Sequence, residues 1–236
     1  IIYLKTEYAC VKEFAHIRTV YTIHNIEYQG KFDPCSLGDV FALDAKYYSI
    51  VEYNNCINLM KGALTVSDYV STVSPNYASE LRHDYFAFGL ARIINSISSK
   101  MCGIINGIDY TDFSPDNDKK IPQPYTVDNF RKMKVKNKLA LQKELGLKVD
   151  EKCFMIGIVS RLTDQKGFDL IAYVLEEILS LDAIQMVVLG TGEERYENMF
   201  RYFDWKYNDK ISANIYYSDE LSHKIYASSD AFLMPS

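Results

Sequence analysis

The chain has 236 residues, of which 48% are hydrophobic and 24% charged, and its net charge is −5. This length is enough for one large or two ordinary domains, and the composition is that of an ordinary globular protein. The acidic balance argues against general binding to nucleic acid or to an anionic membrane, so any anion site has to be local.

Five cysteines are scattered along the chain, and none belongs to a C-x-x-C pair. An odd number of isolated thiols is typical of a reducing compartment and provides no zinc motif. No apolar run approaches the ~18 residues that span a bilayer. We therefore expect a protein of a cytoplasm-like compartment with no metal site and no membrane partner.

The first half of the chain has an irregular α/β pattern. Strands are predicted at Arg18–Asn25 and, together with a turn, at Ala63–Ser74. Ser74 followed by Pro75 is typical of a capped helix start, so a helix is predicted over "SPNYASELRHDYF". The run "MCGIINGID" indicates a further strand that leads into a turn.

A polar stretch rich in proline and aspartate, at residues 110–129, is the natural linker. We therefore predict a first domain at residues 1–105, a hinge at 106–130 and a second domain at 131–236. The segment "FRKMKVKNKLALQKELGL" predicts a helix that ends at Gly146.

The second half alternates short β-rich runs with helical patterns. Strands are predicted at "CFMIGIV", "IQMVVLG", "SANIYY" and "AFLMP", with amphipathic helices between them. In Phe168–Leu181 the apolar residues recur at helical spacing, and Asp169 lies in the first turn, where the helix dipole favours a carboxylate. This alternation is typical of βαβ units, so a Rossmann-like parallel sheet is expected.

Polar loops follow the first three of these strands. They carry Arg161 and Lys166, then Gly190 and Gly192, and finally Tyr217. Because ligands bind at the carboxyl ends of parallel strands, we expect the loops to meet in one crevice. The two cations could hold a diphosphate, and the glycines would let the backbone approach a ligand. Alternatively, the charges are solvated, the glycines form a tight turn and the tyrosine belongs to the core.

Two strand ends in the first half also carry hydrogen-bonding side chains. His24 and Asn25 follow one predicted strand, and Asn106 lies in "IINGID". A lone histidine there is more often a structural hydrogen-bonder than a catalyst, and Asn-Gly is first a turn signal. The sequence contains no G-x-S-x-G, P-loop, G-x-G-x-x-G or H-E-x-x-H motif.

Seven motifs occur in order along the chain: "TIHNIEYQGKF", "INLMKGALTVSDYVSTVSPNYASEL", "GIINGIDYTDFSPDND", "NKLALQKELGL", "VSRLTDQKGFDLI", "LGTGEE" and "YSDELSHKIYASSDAFLMPS". Together they resemble the bacterial and plastid glycogen and starch synthases, retaining glucosyltransferases of family 5. The resemblance implies the α/β GT-B architecture, two Rossmann-like domains whose parallel sheets face each other across a cleft. The acceptor would bind mainly to the first domain and the nucleotide-sugar mainly to the second.

The resemblance also implies a role for each candidate residue. Arg161 and Lys166 match the pair that grips the donor diphosphate, and His24 matches the histidine beside the donor glucose. These three are the predicted catalytic residues. The predicted substrate-binding residues are Asn25, Asn106, Gly190, Gly192 and Tyr217, the last at the aromatic position near the adenine.

The implied reaction transfers glucose from ADP-glucose to the non-reducing end of an α-1,4-glucan, without a cofactor. Fixed cations would stabilise the charge that builds on the leaving diphosphate. No carboxylate is placed as a nucleophile, so a same-face attack assisted by the leaving phosphate is expected. The alternatives are a related GT-B transferase that uses UDP-glucose or a small acceptor, and a non-catalytic fragment that binds nucleotide or glucan.

The chain departs from the family pattern at both ends. The family's K-x-G-G-L loop and its glutamate-bearing segment after "MPS" lie outside it, so we expect a central piece of a longer enzyme with both domains incomplete. Phe113 stands where the family commonly has a tryptophan. A composition rich in Lys, Tyr and Asn favours a bacterial cytoplasm, with a plastid as the alternative.

Overall fold

A computed structural model describes residues 1–235. The chain divides into two compact units, Ile1–Gly107 and a second that begins at Ile108. Each unit is built around its own parallel sheet, which confirms the α/β fold class. The polar stretch at residues 110–129 belongs to the second unit, and a hinge function for residues 106–130 stays a prediction.

The first unit contains a three-stranded parallel sheet and a small antiparallel sheet. Its elements are α1 (Ile2–Lys5), β1 (Val20–Ile23), β2 (Lys31–Phe32), α2 (Ser36–Asp39), α3 (Tyr48–Val51), β3 (Glu52–Tyr53), β4 (Cys56–Asn58), α4 (Leu59–Val66), β5 (Tyr69–Thr72), α5 (Pro75–Glu80), α6 (Asp84–Ala87), α7 (Ala91–Ser96) and β6 (Met101–Gly103). The parallel strands lie in the order β1-β5-β6 and the antiparallel strands in the order β2-β4-β3. The antiparallel sheet was not predicted.

The prediction of a strand over Ala63–Ser74 is wrong for its first residues. Helix α4 extends to Val66, and strand β5 covers only Tyr69–Thr72. The helix is favoured because the side chain of Asn58 caps it, accepting a hydrogen bond from the Lys61 amide at 2.9 Å.

Helix α5 begins as predicted. Ser74 Oγ accepts a hydrogen bond from the Tyr77 amide at 2.9 Å, and Pro75 occupies the first turn. The helix ends at Glu80, earlier than predicted, and the remainder of the predicted segment forms the separate helix α6. The interior of this unit is formed by apolar residues of β1, β5 and the helices, among them Ile23, Leu64, Val70, Leu81, Leu90 and Ile94.

The second unit follows the predicted alternation of strands and helices. Its elements are α8 (Phe130–Glu144), β7 (Phe154–Val159), α9 (Phe168–Ser180), β8 (Ile184–Leu189), α10 (Glu194–Lys206), β9 (Ile211–Asn214), α11 (Asp219–Ser228) and β10 (Ala231–Phe232). All four strands are parallel, in the order β10-β7-β8-β9. Helix α8 stops just before Gly146, which has the expected positive φ of 71°.

The sheet of the second unit is covered on both faces, as the sequence predicts for a Rossmann-like unit. Met186 and Val188 of β8 pack in the cluster formed with α9 and α10, whereas Val187 and Leu189 pack with α8 and α11. Successive residues of β8 are therefore buried on opposite faces of the sheet. Each fully buried side chain of this size contributes about 1.5–3 kcal/mol.

Candidate functional site

A cavity of about 340 Å³ lies at the carboxyl ends of β7, β8 and β9. The loop after each strand supplies part of its wall. The lining residues from these loops are Ser160, Arg161, Gly190, Thr191, Tyr216, Tyr217 and Ser218, and Asp219 at the start of α11 lines it as well. The predicted meeting of three strand-end loops is therefore found, and it brings together Arg161, Gly190 and Tyr217.

The loop after β7 lies too close to Gly190 and Gly192 to allow a side chain at either position. A Cβ atom on Gly190 would lie 1.9 Å from the Ser160 carbonyl oxygen, and one on Gly192 would lie 2.2 Å from the Leu162 carbonyl oxygen. The loops are also hydrogen-bonded, since the Leu162 amide donates to the Thr191 carbonyl at 2.9 Å. The close approach that excludes a side chain is thus between two loops, and Gly192 is not part of the cavity wall.

Arg161 offers an unneutralised cation to the cavity. Its side chain is exposed and lines the wall. Within residues 1–235 its guanidinium has neither a hydrogen bond nor an ion pair. A planar guanidinium in this condition can form two parallel hydrogen bonds to an anionic ligand.

Lys166 lies beside the cavity rather than in its wall. It ends the short 3-10 turn Asp164–Lys166, and Gly167, with φ of 70°, then starts helix α9. The lysine is half-buried, and its ammonium has no ion pair in the described part of the chain. Its charge therefore adds to the positive end of the α9 dipole.

The turn that carries Lys166 is anchored to the start of α10. Asp164 accepts hydrogen bonds from the Tyr196 hydroxyl and the Arg195 guanidinium, and its amide donates to Glu193 Oε1 at 3.0 Å. The Tyr196 bond, followed by the Arg195 bond, lowers the pKa of the Asp164 carboxyl. Burial and the same carboxylate raise the pKa of Tyr196 to about 12. The position of Lys166 is thus fixed by residues of another element.

None of the three candidate residues of the first unit is fully buried. His24 is exposed at the end of β1, and Asn106 is exposed outside regular secondary structure. Asn25 is half-buried and accepts a hydrogen bond from the Glu27 amide at 2.9 Å, which closes a local turn. A structural role for Asn25 is therefore visible, and ligand roles for all three stay predictions.

The sequence interpretation missed one wall of the cavity. Phe113 lines it, although this residue comes from the stretch predicted to be a linker. Tyr226 of α11 and Thr191 also contribute. The signal available for Phe113 was its position at the site of the family's tryptophan, since an aromatic residue in a polar stretch requires an apolar contact.

Comparison with known proteins finds glycogen and starch synthases that are similar to this chain. The family model "Starch synthase catalytic domain" matches residues 1–96. The glycogen synthase of Lachnospira eligens is 50% identical over 237 residues, covering 100% of this chain and 49% of that protein. The glycogen synthase of Streptococcus agalactiae serotype III is 48% identical over 235 residues, covering 99% of this chain and 49% of that protein.

A solved structure agrees over the whole chain. It is the catalytic domain of starch synthase IV from Arabidopsis thaliana, bound to ADP and acarbose, with 31% identity and a TM-score of 0.87. The match covers 100% of this chain and 50% of that one. The chain is therefore similar to glycogen and starch synthases along its whole length.

This similarity confirms the resemblance drawn from the seven motifs. The chain spans about half the length of the curated relatives it matches. No helix among residues 1–235 has both the length and the apolar character needed to cross a membrane.

Proposed function

We propose that the protein is a retaining glucosyltransferase that transfers glucose from ADP-glucose to the non-reducing end of an α-1,4-glucan. The observation that carries the proposal is the cavity at the ends of β7–β9, with the unpaired Arg161 in its wall. Half of all residues are identical to a glycogen synthase across the full chain, which supports the same chemistry. We further propose a location in a bacterial cytoplasm.

The donor would bind in the second unit. Arg161 and Lys166 would neutralise the diphosphate, and the exposed ring of Tyr217 would stack on the adenine. As the bond between glucose and phosphate breaks, negative charge grows on the leaving ADP. Fixed cations stabilise that charge more in the transition state than in the ground state, and this difference accelerates the reaction.

The acceptor would bind to the first unit, in the GT-B arrangement that the family resemblance implies. His24, exposed at the end of β1, would contact the donor glucose, with Asn25 and Asn106 nearby in the same ligand site. This part of the proposal rests on the motif match. Its direct check is His24→Ala, which should lower kcat without weakening ADP binding.

Retention of configuration is proposed to occur by same-face attack. Asp219 is the only carboxylate among the described residues that line the cavity, and it is paired with Lys120 at 2.7 Å. An ammonium that holds the carboxylate makes it a weaker nucleophile, which supports a route in which the leaving phosphate helps to remove the proton of the acceptor hydroxyl.

The test is release of ADP from ADP-glucose in the presence of glycogen, measured with the full-length enzyme. Arg161→Ala and Lys166→Ala should each lower kcat by about a hundredfold or more, the usual cost of losing one contact to transition-state charge. Arg92→Ala and Lys119→Ala are the matched controls, since both side chains are exposed and neither has an ion pair within residues 1–235. Equal activity in all four variants would contradict the assigned roles.

The same assay separates the alternatives. A higher rate with UDP-glucose than with ADP-glucose would favour the related transferase. Binding of ADP without any transfer to glycogen would favour a non-catalytic fragment.

A further inference from the structure

Residues 112–120 are tied to helix α11 by a polar network centred on His223. The histidine is only 3% exposed, and its Nδ1 lies 2.7 Å from Asp118 Oδ2. Its Nε2 lies 3.2 Å from the ammonium of Lys120. The same ammonium contacts Asp112 at 2.8 Å and Asp219 at 2.7 Å.

These partners fix the tautomer of the His223 ring. An ammonium group has donors and no acceptor, so Nε2 must accept the hydrogen bond from Lys120. The ring proton therefore lies on Nδ1 and is donated to the Asp118 carboxylate. The hydrogen bonds to Asp112 and Asp219 raise the pKa of Lys120, which keeps the ammonium charged.

Lys120 also occupies the place that a cation would take. Asp112, Asp219 and His223 offer ligand atoms within 4.8 Å of one another. The Lys120 ammonium lies within 3.2 Å of an atom of each. The ammonium therefore offsets one of the two negative charges of Asp112 and Asp219.

The network lies directly behind two residues of the cavity wall. The ring of Phe113 stacks on His223, with centroids 4.7 Å apart and planes 14° apart. Phe113 and Asp219 both line the cavity at the ends of β7–β9, whereas His223, Asp118 and Lys120 do not. A second cavity of about 90 Å³ is lined by both Phe113 and His223. Without the histidine ring, the phenyl ring would have open space behind it.

We propose that His223, together with Asp118 and Lys120, is a positioning residue for the ligand cavity. It holds the Phe113 ring and the Asp219 carboxylate in the wall of the cavity. The identity of the ligand rests on the proposed function, whereas the positioning of Phe113 does not. Because the wall it supports is aromatic, the network controls the fit of the nucleoside part of the ligand, and Arg161 binds the phosphates independently of it.

The first experiment reports on Phe113 without any ligand. In a Trp205→Phe background, Phe113→Trp places the only indole of the chain at the cavity wall. Adding His223→Ala should raise the acrylamide quenching constant of that indole about twofold or more, since local packing is lost. Lys120→Met, which keeps the aliphatic stem and removes the ammonium, should act in the same direction in a variant that stays folded.

Lys119→Ala is the matched control, because it removes an exposed lysine from the same segment. It should leave the quenching constant unchanged. If Lys119→Ala and the two network variants gave the same quenching, the positioning role would be overturned.

The second experiment compares two probes by calorimetry. His223→Ala and Lys120→Met should weaken ADP binding about tenfold, which corresponds to ~1.4 kcal/mol. Binding of inorganic pyrophosphate, which lacks the nucleoside, should stay within about twofold. Equal losses for both probes would show a general structural role and overturn the proposal, as would unchanged ADP affinity. A wild-type chain that binds pyrophosphate but not ADP would overturn the proposed function, and the quenching result would still decide the positioning role.

Discussion

Gly190 and Gly192 lie so close to the preceding loop that any side chain would collide with its backbone. The obstacle in each case is a main-chain carbonyl, of Ser160 and of Leu162, rather than the end of a flexible side chain. Such a clash can be relieved only by separating the two loops. Since these loops form the floor of the cavity, local stability and ligand geometry depend on the same two residues.

The first prediction concerns this contact. Gly192→Ala should lower the free energy of unfolding by about 2 kcal/mol, a typical cost for forced backbone displacement. Gly38→Ala is the control, since nothing lies within 4 Å of a Cβ atom there and the residue is in helix α2, where alanine is favoured. Chemical denaturation of both variants measures the difference, and a Gly192→Ala variant as stable as wild type would contradict the contact.

The second prediction concerns pH. Asp68 pairs with Lys5 at 2.7 Å and accepts a hydrogen bond from the Thr19 amide at 2.7 Å. These contacts hold the pKa of its carboxyl well below the usual range, with Lys5 as the largest cause. Because the folded-state pKa is the lower one, the stabilisation is complete above the unfolded pKa of about 4 and is lost as the pH falls towards the folded pKa.

Asp68→Asn should therefore destabilise the protein at neutral pH, and the difference from wild type should shrink steadily as the solution is acidified below about pH 4. Urea unfolding across a pH series measures this. Asp84→Asn serves as the control, since that carboxylate is exposed and has no ion pair among residues 1–235. A difference that stays constant with pH would rule out the linkage.

At the scale of elements, an ion pair between a buried lysine and a partly exposed aspartate joins helix α8 to the sheet of the second unit. The Lys138 side chain is 5% exposed and pairs with Asp230, which precedes β10. Lys138 also donates to the Cys153 carbonyl at 2.9 Å, and Asp230 accepts from the Met155 amide at 2.8 Å. The pair thus holds the edge of the sheet against the helix.

The third prediction is that Lys138→Ala costs about 2 kcal/mol of unfolding free energy, because it removes the buried ammonium from the Cys153 carbonyl and from Asp230, whose side chain is 32% exposed. Lys138→Ala combined with Asp230→Ala should cost less than the sum of the two single changes, since the pair is lost only once. Lys136→Ala, an exposed lysine on the same helix, is the control. Additive single and double changes would contradict the coupling.

The elements that could be predicted are those with a strong local pattern. The four strands and the intervening helices of the second unit follow from apolar spacing, and the start of α5 follows from Ser74 and Pro75. The end of α4 was predicted to be a strand because Thr65 and Val66 are β-branched, and such residues favour strands. Strands of two or three residues, such as β2 and β3, are too short to show any period.

Only the part of the cavity formed by the loops at the strand ends could be predicted from the sequence. The strand-end loops follow from the parallel sheet, so Arg161, Gly190 and Tyr217 were found. Phe113 was missed because its position depends on His223 and Asp118, which are 105 residues apart in the chain. Contacts over such a separation leave no trace in composition or spacing.

On the scale of the whole molecule, the chain consists of two compact units, and only the second contains the cavity at the ends of β7–β9. A ligand that binds one folded unit stabilises that unit by an amount set by its concentration relative to Kd. The effect of ADP should therefore be unequal along the chain.

The fourth prediction is that saturating ADP slows amide exchange in the second unit, most strongly in the loops after β7, β8 and β9. At a concentration a hundredfold above Kd the unit gains about 2.7 kcal/mol. Hydrogen exchange with mass spectrometry measures this by peptide, and α4 and β5 of the first unit serve as internal controls. Uniform protection of both units, or protection confined to the first, would contradict donor binding at this cavity.

The bridge between Leu162 and Gly192 extends the pairing of β7 and β8 past the ends of both strands. The floor of the cavity therefore moves with the sheet, whereas Phe113 and Tyr217 project from flanking segments as side chains. Substitutions in the floor and substitutions in the walls should therefore have different effects. If the cavity binds the nucleoside as proposed, substitutions at Phe113 and Tyr217 would change which nucleoside is accepted. Substitutions in the floor would be removed by selection because they damage the fold first.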